Sequence, residues 1–250
     1  MNKTQLSLRL TLQVASLGTR LNDATYRIVS NLLKQMKQSG VPETEIVRQL
    51  DVILDLVEHG NMAAADLSDV YTETMFALHG ETVARQAAPL PSRSDLAERW
   101  GALVRSYLAE AAVDVVAGAI RETISADMKR SSNAGVAVEG ATGYRRVIHP
   151  EKSEGGTCGL CMVAATRLYY RHDLKPIHDG CNCKVVAVTE DNDPGADMNK
   201  IDFDAIYAAS GDTTDGWTLK QTRFRFDADR GEIETVKDRA KKGTREPRED

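Results

Sequence analysis

The sequence predicts a mainly α protein: an N-terminal helical bundle, then a small α+β cysteine-rich lobe, then an extended C-terminal arm. Three observations predict it. Apolar residues recur at spacings of three and four through the first half of the chain. After Lys129 that rhythm gives way to a small, glycine-rich stretch and two short β-patterned runs. All four cysteines of the 250-residue chain lie between those two runs, in TCGLCMVAATRLYYRHDLKPIHDGCNCK, Thr157 to Lys184. These changes divide the chain into a helical domain at 1–130, the cysteine-rich lobe at 131–190 and the arm at 191–250.

Leu6, Leu10, Val14, Leu17 and Leu21 share one face of a first helix, although the alternation Leu6, Leu8, Leu10, Leu12 also fits a strand. A second helix runs from Ala24 to about Gln38, with Ile28, Leu32 and Met36 on one face and Gly40 as its stop. Pro42 opens a third, with Glu43 and Glu45 at the positive end of its dipole, and His59-Gly60 closes it. Another begins after Asn61, with Val70, Met75, Phe76 and Leu78 supplying its buried side. PLPSRS, Pro89 to Ser94, is a break. Asp95 with Glu98 resembles a capping box, and the spacing of Trp100, Leu103, Val104, Tyr107, Leu108, Ala111 and Val115 predicts one long helix to about Met128. Long helices joined by short loops form a bundle.

SSNAGVAVEGATG is a loop or linker, and strands are predicted at Tyr144 to Ile148 and Lys184 to Val188. EDNDPGADMN is turn-rich, and Phe224 and Phe226 alternating with Arg223 and Arg225 predict an extended arm or edge strand. The end, VKDRAKKGTREPRED, has no apolar periodicity and reads as disordered or ordered by a partner.

Composition narrows the function. Hydrophobic residues at 42% and charged residues at 28% are the balance of a globular chain, and a net charge of -5 argues against a surface that coats nucleic acid. No apolar run approaches the roughly 20 residues that cross a bilayer. MNKTQLSLRLTLQV lacks the continuous apolar core of a signal peptide. The expectation is a chain made and kept in a reducing cytoplasm, without a membrane partner. Clustered cysteines there are metal ligands or redox centres more often than disulfides.

Cys158 and Cys161 form C-x-x-C, a spacing that lets a tight turn aim two thiolates at one ion; His178, Cys181 and Cys183 follow as H-x-x-C-x-C. A tetrahedral zinc site takes four such ligands, commonly as two pairs. Here five candidates compete for four places. Cys158, Cys161 and Cys181 come first, and Cys183 and His178 compete for the fourth. Cys181 and Cys183 share a face of an extended strand, whereas His178 reaches the same point only through a turn at Asp179-Gly180. A histidine outside the ligand set would instead donate to a coordinated sulfur.

The competing readings are a redox pair at a helix start, and reduced cysteines or one disulfide in a small core. The redox reading lacks a βαβ context and leaves the second cysteine pair without a role. A closed four-ligand site has no position for water, so the expected metal is structural. His149 is read as ending a strand, His172 as facing solvent, and His59 and His79 as helix-end residues, none of them catalytic. H-E-x-x-H, G-x-S-x-G, P-loop and G-x-G-x-x-G signatures are absent from the sequence.

Taken together, YRRVIHPE, GTCGLC and LKPIHDGCNC resemble the minor head proteins of tailed bacteriophages, the family typified by the F protein of phage Mu, and most closely its version in actinobacterial siphophages. The motif positions are Cys158, Cys161, Pro176, His178, Cys181 and Cys183, within Tyr144 to Val188. The chain departs from the family's broad pattern at Asp179, where many members have proline. The resemblance implies a structural minor head protein at the portal vertex, acting in head assembly, DNA packaging or genome delivery. It implies the portal protein as partner, with major capsid protein, packaged DNA and self-association in the virion as further contacts. Its expected place is the capsid interior or portal vertex. The alternative is an enzyme, either a thiol redox protein or a capsid maturation protease, although the sequence offers no nucleophile–base pair for the latter.

Overall fold

The computed structural model describes residues 2–86, 88–109, 113–149, 156–174, 177, 183–199, 203–212, 215–227 and 232–236. The protein is mainly helical. Two 37-residue helices, α1 (Lys3–Ser39) and α2 (Glu43–His79), form an antiparallel hairpin, and α3 (Arg93–Ala109) and α4 (Val113–Ala134) pack against it. The first four predicted helices are therefore two. The stop at Gly40 is real: it adopts φ 61 and its N–H bonds back to the last turn of α1. Gly60 is no stop but a buried position inside α2, where an added Cβ would sit 2.6 Å from Met128 Cε and 3.2 Å from Thr25 Oγ1. Its missing side chain lets three helices approach closely.

Asn2 and Gln5 cap the start of α1 reciprocally. At α3 the cap lies three residues before the predicted one. Ser92 Oγ accepts the Asp95 N–H at 3.2 Å and donates to the Asp95 carboxylate at 2.7 Å. The expected single helix to Met128 is described on both sides of 110–112 as α3 and α4, and 110–112 lie outside the described residues.

One core is shared by all four helices: Val29, Leu33 and Met36 meet Ile53 and Val57, Trp100 and Val104, and Ile120 and Ile124. Asp127, fully buried, is held there by Arg99 at 2.6 Å. Among the described residues no helix is long and apolar enough to cross a membrane.

The lobe begins with β1 (Gly143–Val147), which pairs antiparallel with β3 (Lys184–Val188), Tyr144 opposite Ala187 and Arg146 opposite Val185. This ribbon sits on the open end of the hairpin. One face puts Val147 and Val186 against Val14, Tyr71 and Met75, while the other puts Tyr144, Val185 and Ala187 against Phe76 and Val136. Polar clasps reinforce the joint: Lys184 Nζ donates to Ser132 Oγ at 3.3 Å, Ser132 hydrogen-bonds Ser68, and Asn133 donates to the Leu174 carbonyl at 2.8 Å.

Among the described residues after 190 the chain is folded rather than an extended arm. It folds α6 (Pro194–Asn199), α7 (Phe203–Ala209) and α8 (Gly216–Gln221), following α5 (Gly159–Ala165) of the lobe. It then forms β4 (Arg223–Asp227), which pairs with both β2 (Thr157–Cys158) and β5 (Glu232–Val236). The physical reason is side-chain anchorage. Arg145 grips Asp193 with two nitrogens, and Asn199 donates to the carbonyls of Arg146 and Ala165. The basic stretch of the predicted tail, Lys237 to Arg248, lies outside the described residues.

Candidate functional site

The site is built on the corner where β2 turns into α5. Cys158 ends the strand and caps the helix: in extended backbone, φ -71 and ψ 148, its Sγ accepts the Cys161 N–H at 3.3 Å. The hydrogen bond explains the spacing of three. It turns the chain so that the Cys158 and Cys161 side chains enter the same core, where they are 1% and 2% exposed.

That core is compact and drawn from distant parts of the chain. Ile148 comes from the end of β1, Met162 and Ala165 from α5, Ile206 from α7, Leu219 from α8 and Phe224 from β4. Gly159 is needed here, since an added Cβ would meet the Leu219 carbonyl at 3.0 Å and the Phe224 ring at 3.1 Å. Ile177 and Cys183 pack on the same cluster from outside. These two residues flank 178–182, which lie outside the described residues.

Of the five predicted ligands, the structure thus gathers Cys158, Cys161 and Cys183 around one small core, whereas His178 and Cys181 lie outside the described residues. Among the described residues no group of three or more His, Cys, Asp or Glu is arranged to hold a metal ion. The donor chemistry of the described half, a capped C-x-x-C corner with an N–H on sulfur, fits a thiolate-bound zinc.

The other histidines are placed as follows. His149 is buried at 2% beside Ile148, deeper than a simple strand end. His172 meets the Tyr144 ring edge-on at 5.8 Å rather than facing solvent alone. His59 is on the exposed side of α2 and bonds to the Asp55 carbonyl, and His79 at the C-terminus of α2 bonds to Ser7 Oγ at 3.1 Å. What the sequence reading missed is the packing partner of the cysteines, Phe224. The Arg-Phe-Arg-Phe alternation was its only signal, and that pattern alone assigns no neighbour.

No curated protein and no solved structure matches the chain. The family model described as VG15 protein matches residues 9–209. That span takes in α1 from Arg9 onward, the other three helices of the bundle, the β1–β3 ribbon and the cysteine corner, ending with α7. The chain belongs to the VG15 family of phage proteins.

Proposed function

We propose that the chain is a structural minor head component of a tailed phage particle, working at the portal vertex in head assembly, DNA packaging or genome delivery. The observation that supports this best is the cysteine corner within a phage family match. Cys158 and Cys161 are buried in a packed core that ties five chain segments together, which suits a structural knot. A redox pair is disfavoured by the same burial, because a reactive thiol needs partial exposure.

In this reading Cys158, Cys161 and Cys181 hold a structural zinc, with Cys183 or His178 as the fourth ligand. Zinc would supply folding energy to a lobe with little apolar area of its own. Purified protein is then expected to contain about one zinc per chain and to melt at lower temperature after chelation. A metal-free protein whose melting is indifferent to chelator removes the zinc.

The partner in this reading is the portal protein, with major capsid protein and packaged DNA nearby. Quantitative mass spectrometry of purified virions, with portal and capsid peptides as internal rulers, tests the role. The expected result is a few copies to a portal-like number per particle. A protein abundant in lysates and absent from particles would overturn it.

A further inference from the structure

The two long helices carry opposite charge. α1 has six basic residues and one acidic, Asp23, while α2 has eight acidic residues and one basic, Arg48. The imbalance is ordered in space. Arg9, Arg20, Arg27 and Lys34 are all exposed and follow one another at 11, 7 and 7 residues. Those intervals are close to whole numbers of turns, so the four residues form a line along α1. On α2, Asp55, Asp66 and Glu73 are exposed and separated by 11 and 7 residues, a second line of opposite sign. Both lines have apolar company: Leu17 at 47% and Ile28 at 51% exposure on α1, Met62 at 43% and Val70 at 60% on α2.

Among the described residues, most of these charges have no ion-pair partner within one molecule. Arg20, Arg27 and Lys34 have no ion-pair partner among the described residues, nor do Asp66 and Glu73; Arg27 donates to the Asp23 carbonyl, and Asp55 is held by Arg93. A basic helix by itself would also suit nucleic acid. Here the adjoining helix of the same hairpin is strongly acidic and the chain as a whole is at -5, so a polyanion meets repulsion beside the stripe. The surface that complements a basic stripe flanked by leucine and isoleucine, and an acidic stripe flanked by methionine and valine, is carried by the chain itself.

We infer that the α1 stripe of one copy docks against the α2 stripe of a second copy, making a head-to-tail interface between copies of this chain. Such a contact joins unlike surfaces, so each copy keeps one open half for the next, and the assembly closes into a ring if the rotation allows. Charge complementarity sets orientation and partner choice, while the flanking apolar side chains supply the dry centre. The inference goes beyond the head-component reading and does not rest on it, because association is measured on the isolated chain.

Sedimentation velocity of the full chain over a concentration series tests it, with two charge-reversed variants: Arg20→Glu with Arg27→Glu, and Asp66→Lys with Glu73→Lys. Wild type is expected to self-associate, and to do so about tenfold more weakly when salt rises from about 0.05 to about 0.5 M. Each variant alone, with its helical circular dichroism intact, is expected to stay monomeric. Mixing the two restores association, since the reversed pair on α1 of one variant then faces the reversed pair on α2 of the other. The milder pair Arg20→Gln with Arg27→Gln is expected to weaken association without abolishing it. A wild type that is monomeric throughout, a reversed variant that associates like wild type, or a mixture that stays monomeric overturns the interface. Retention of duplex DNA by wild type that is lost in Arg20→Glu with Arg27→Glu, with self-association unchanged, assigns the α1 stripe to nucleic acid instead.

Discussion

Gly135, the first residue past α4, is where the bundle hands the chain to the lobe, and its replacement by alanine has a calculable consequence. A Cβ there would lie 2.1 Å from the Ala65 carbonyl oxygen and 2.9 Å from its carbon, in the middle of α2. Ordinary contact begins near 3.4 Å, so α2 and the end of α4 must part by more than an ångström. Both elements are fixed: Ala65 is 1% exposed, and the Gly135 N–H still bonds to the Ser131 carbonyl at 3.1 Å. Overpacking of this kind costs about 1–3 kcal/mol. The alanine recovers about 0.4–1 kcal/mol by restricting the unfolded chain. Because the obstruction is backbone, the clash takes the upper part of its range and the net loss is about 2 kcal/mol, a fall in Tm of about 4–8 °C for a chain of this size. Gly60→Ala is the matched control. Its methyl meets side chains and no backbone, the flexible tip of Met128 and the Thr25 hydroxyl at 3.2 Å, and inside a helix alanine gains about 1 kcal/mol over glycine, so the stability should stay within about 1 kcal/mol of wild type. Urea unfolding of both variants, followed by circular dichroism, decides. If Gly135→Ala is as stable as Gly60→Ala, the close approach of α4 to α2 is not a constraint and the reasoning fails.

Three further outcomes are expected. Phe224→Ala should cost the lobe about 3–5 kcal/mol and expose Cys158 and Cys161 to a thiol reagent; unchanged thiol protection would detach β4 from the cysteine core. Arg99→Met should lose about 3–5 kcal/mol, because it leaves the buried Asp127 carboxylate without its nearest cation, whereas adding Asp127→Leu should recover most of that loss; strictly additive losses of the two single variants in the double variant would show that the pair is not coupled. Burial pushes the Tyr71 phenol above its ordinary value, with the Thr11 hydroxyl bond only partly offsetting it. The folded state then keeps a proton that the unfolded state gives up above pH of about 10, so stability falls as pH rises past that point, by up to about 1.4 kcal/mol per pH unit for this group. Tyr71→Phe should flatten the alkaline decline, and a decline as steep as in wild type would assign it to other groups.

Much of the bundle was legible because its signals are local and repeated. Gly40 and Pro42 mark the turn between α1 and α2 by backbone chemistry that needs no neighbour. Gly60 carries the same residue type with the opposite meaning, since its use is the nearness of Thr25 and Met128, which no local pattern encodes. The choice between Asp95 and Ser92 as cap turned on which of two plausible acceptors the chain presents to the Asp95 N–H. After 190 the described helices are six or seven residues long, too short to show a helical period, and Asp193 and Asn199 tie the first of them to Arg145 and to the Arg146 and Ala165 carbonyls. The cysteine cluster was visible as composition, and its C-x-x-C corner is a local device. Its lining by Ile148, Ile206, Leu219 and Phe224 depends on chain crossings that only tertiary structure reveals.

The joint between hairpin and lobe bears on how such a protein could transmit a contact. Tyr144, Val147, Val185, Val186 and Ala187 of the ribbon are buried against the hairpin end on two faces. At about 1.5–3 kcal/mol for each large side chain, separating them exposes surface worth on the order of 10 kcal/mol. That is comparable with the whole stability of an ordinary domain, so the lobe does not swing while the bundle stays folded. The clasps through Ser68, Ser132 and Lys184 add an orientation that apolar contact alone would leave loose. Docking along the faces of α1 and α2 would therefore fix the cysteine lobe in space as well. A partner that reads the lobe would meet it at one set position beyond the open end of the hairpin. Substitutions at Val147 or Val186 should consequently disturb helix-mediated assembly and lobe integrity together, although neither residue lies on the docking stripes or among the cysteines.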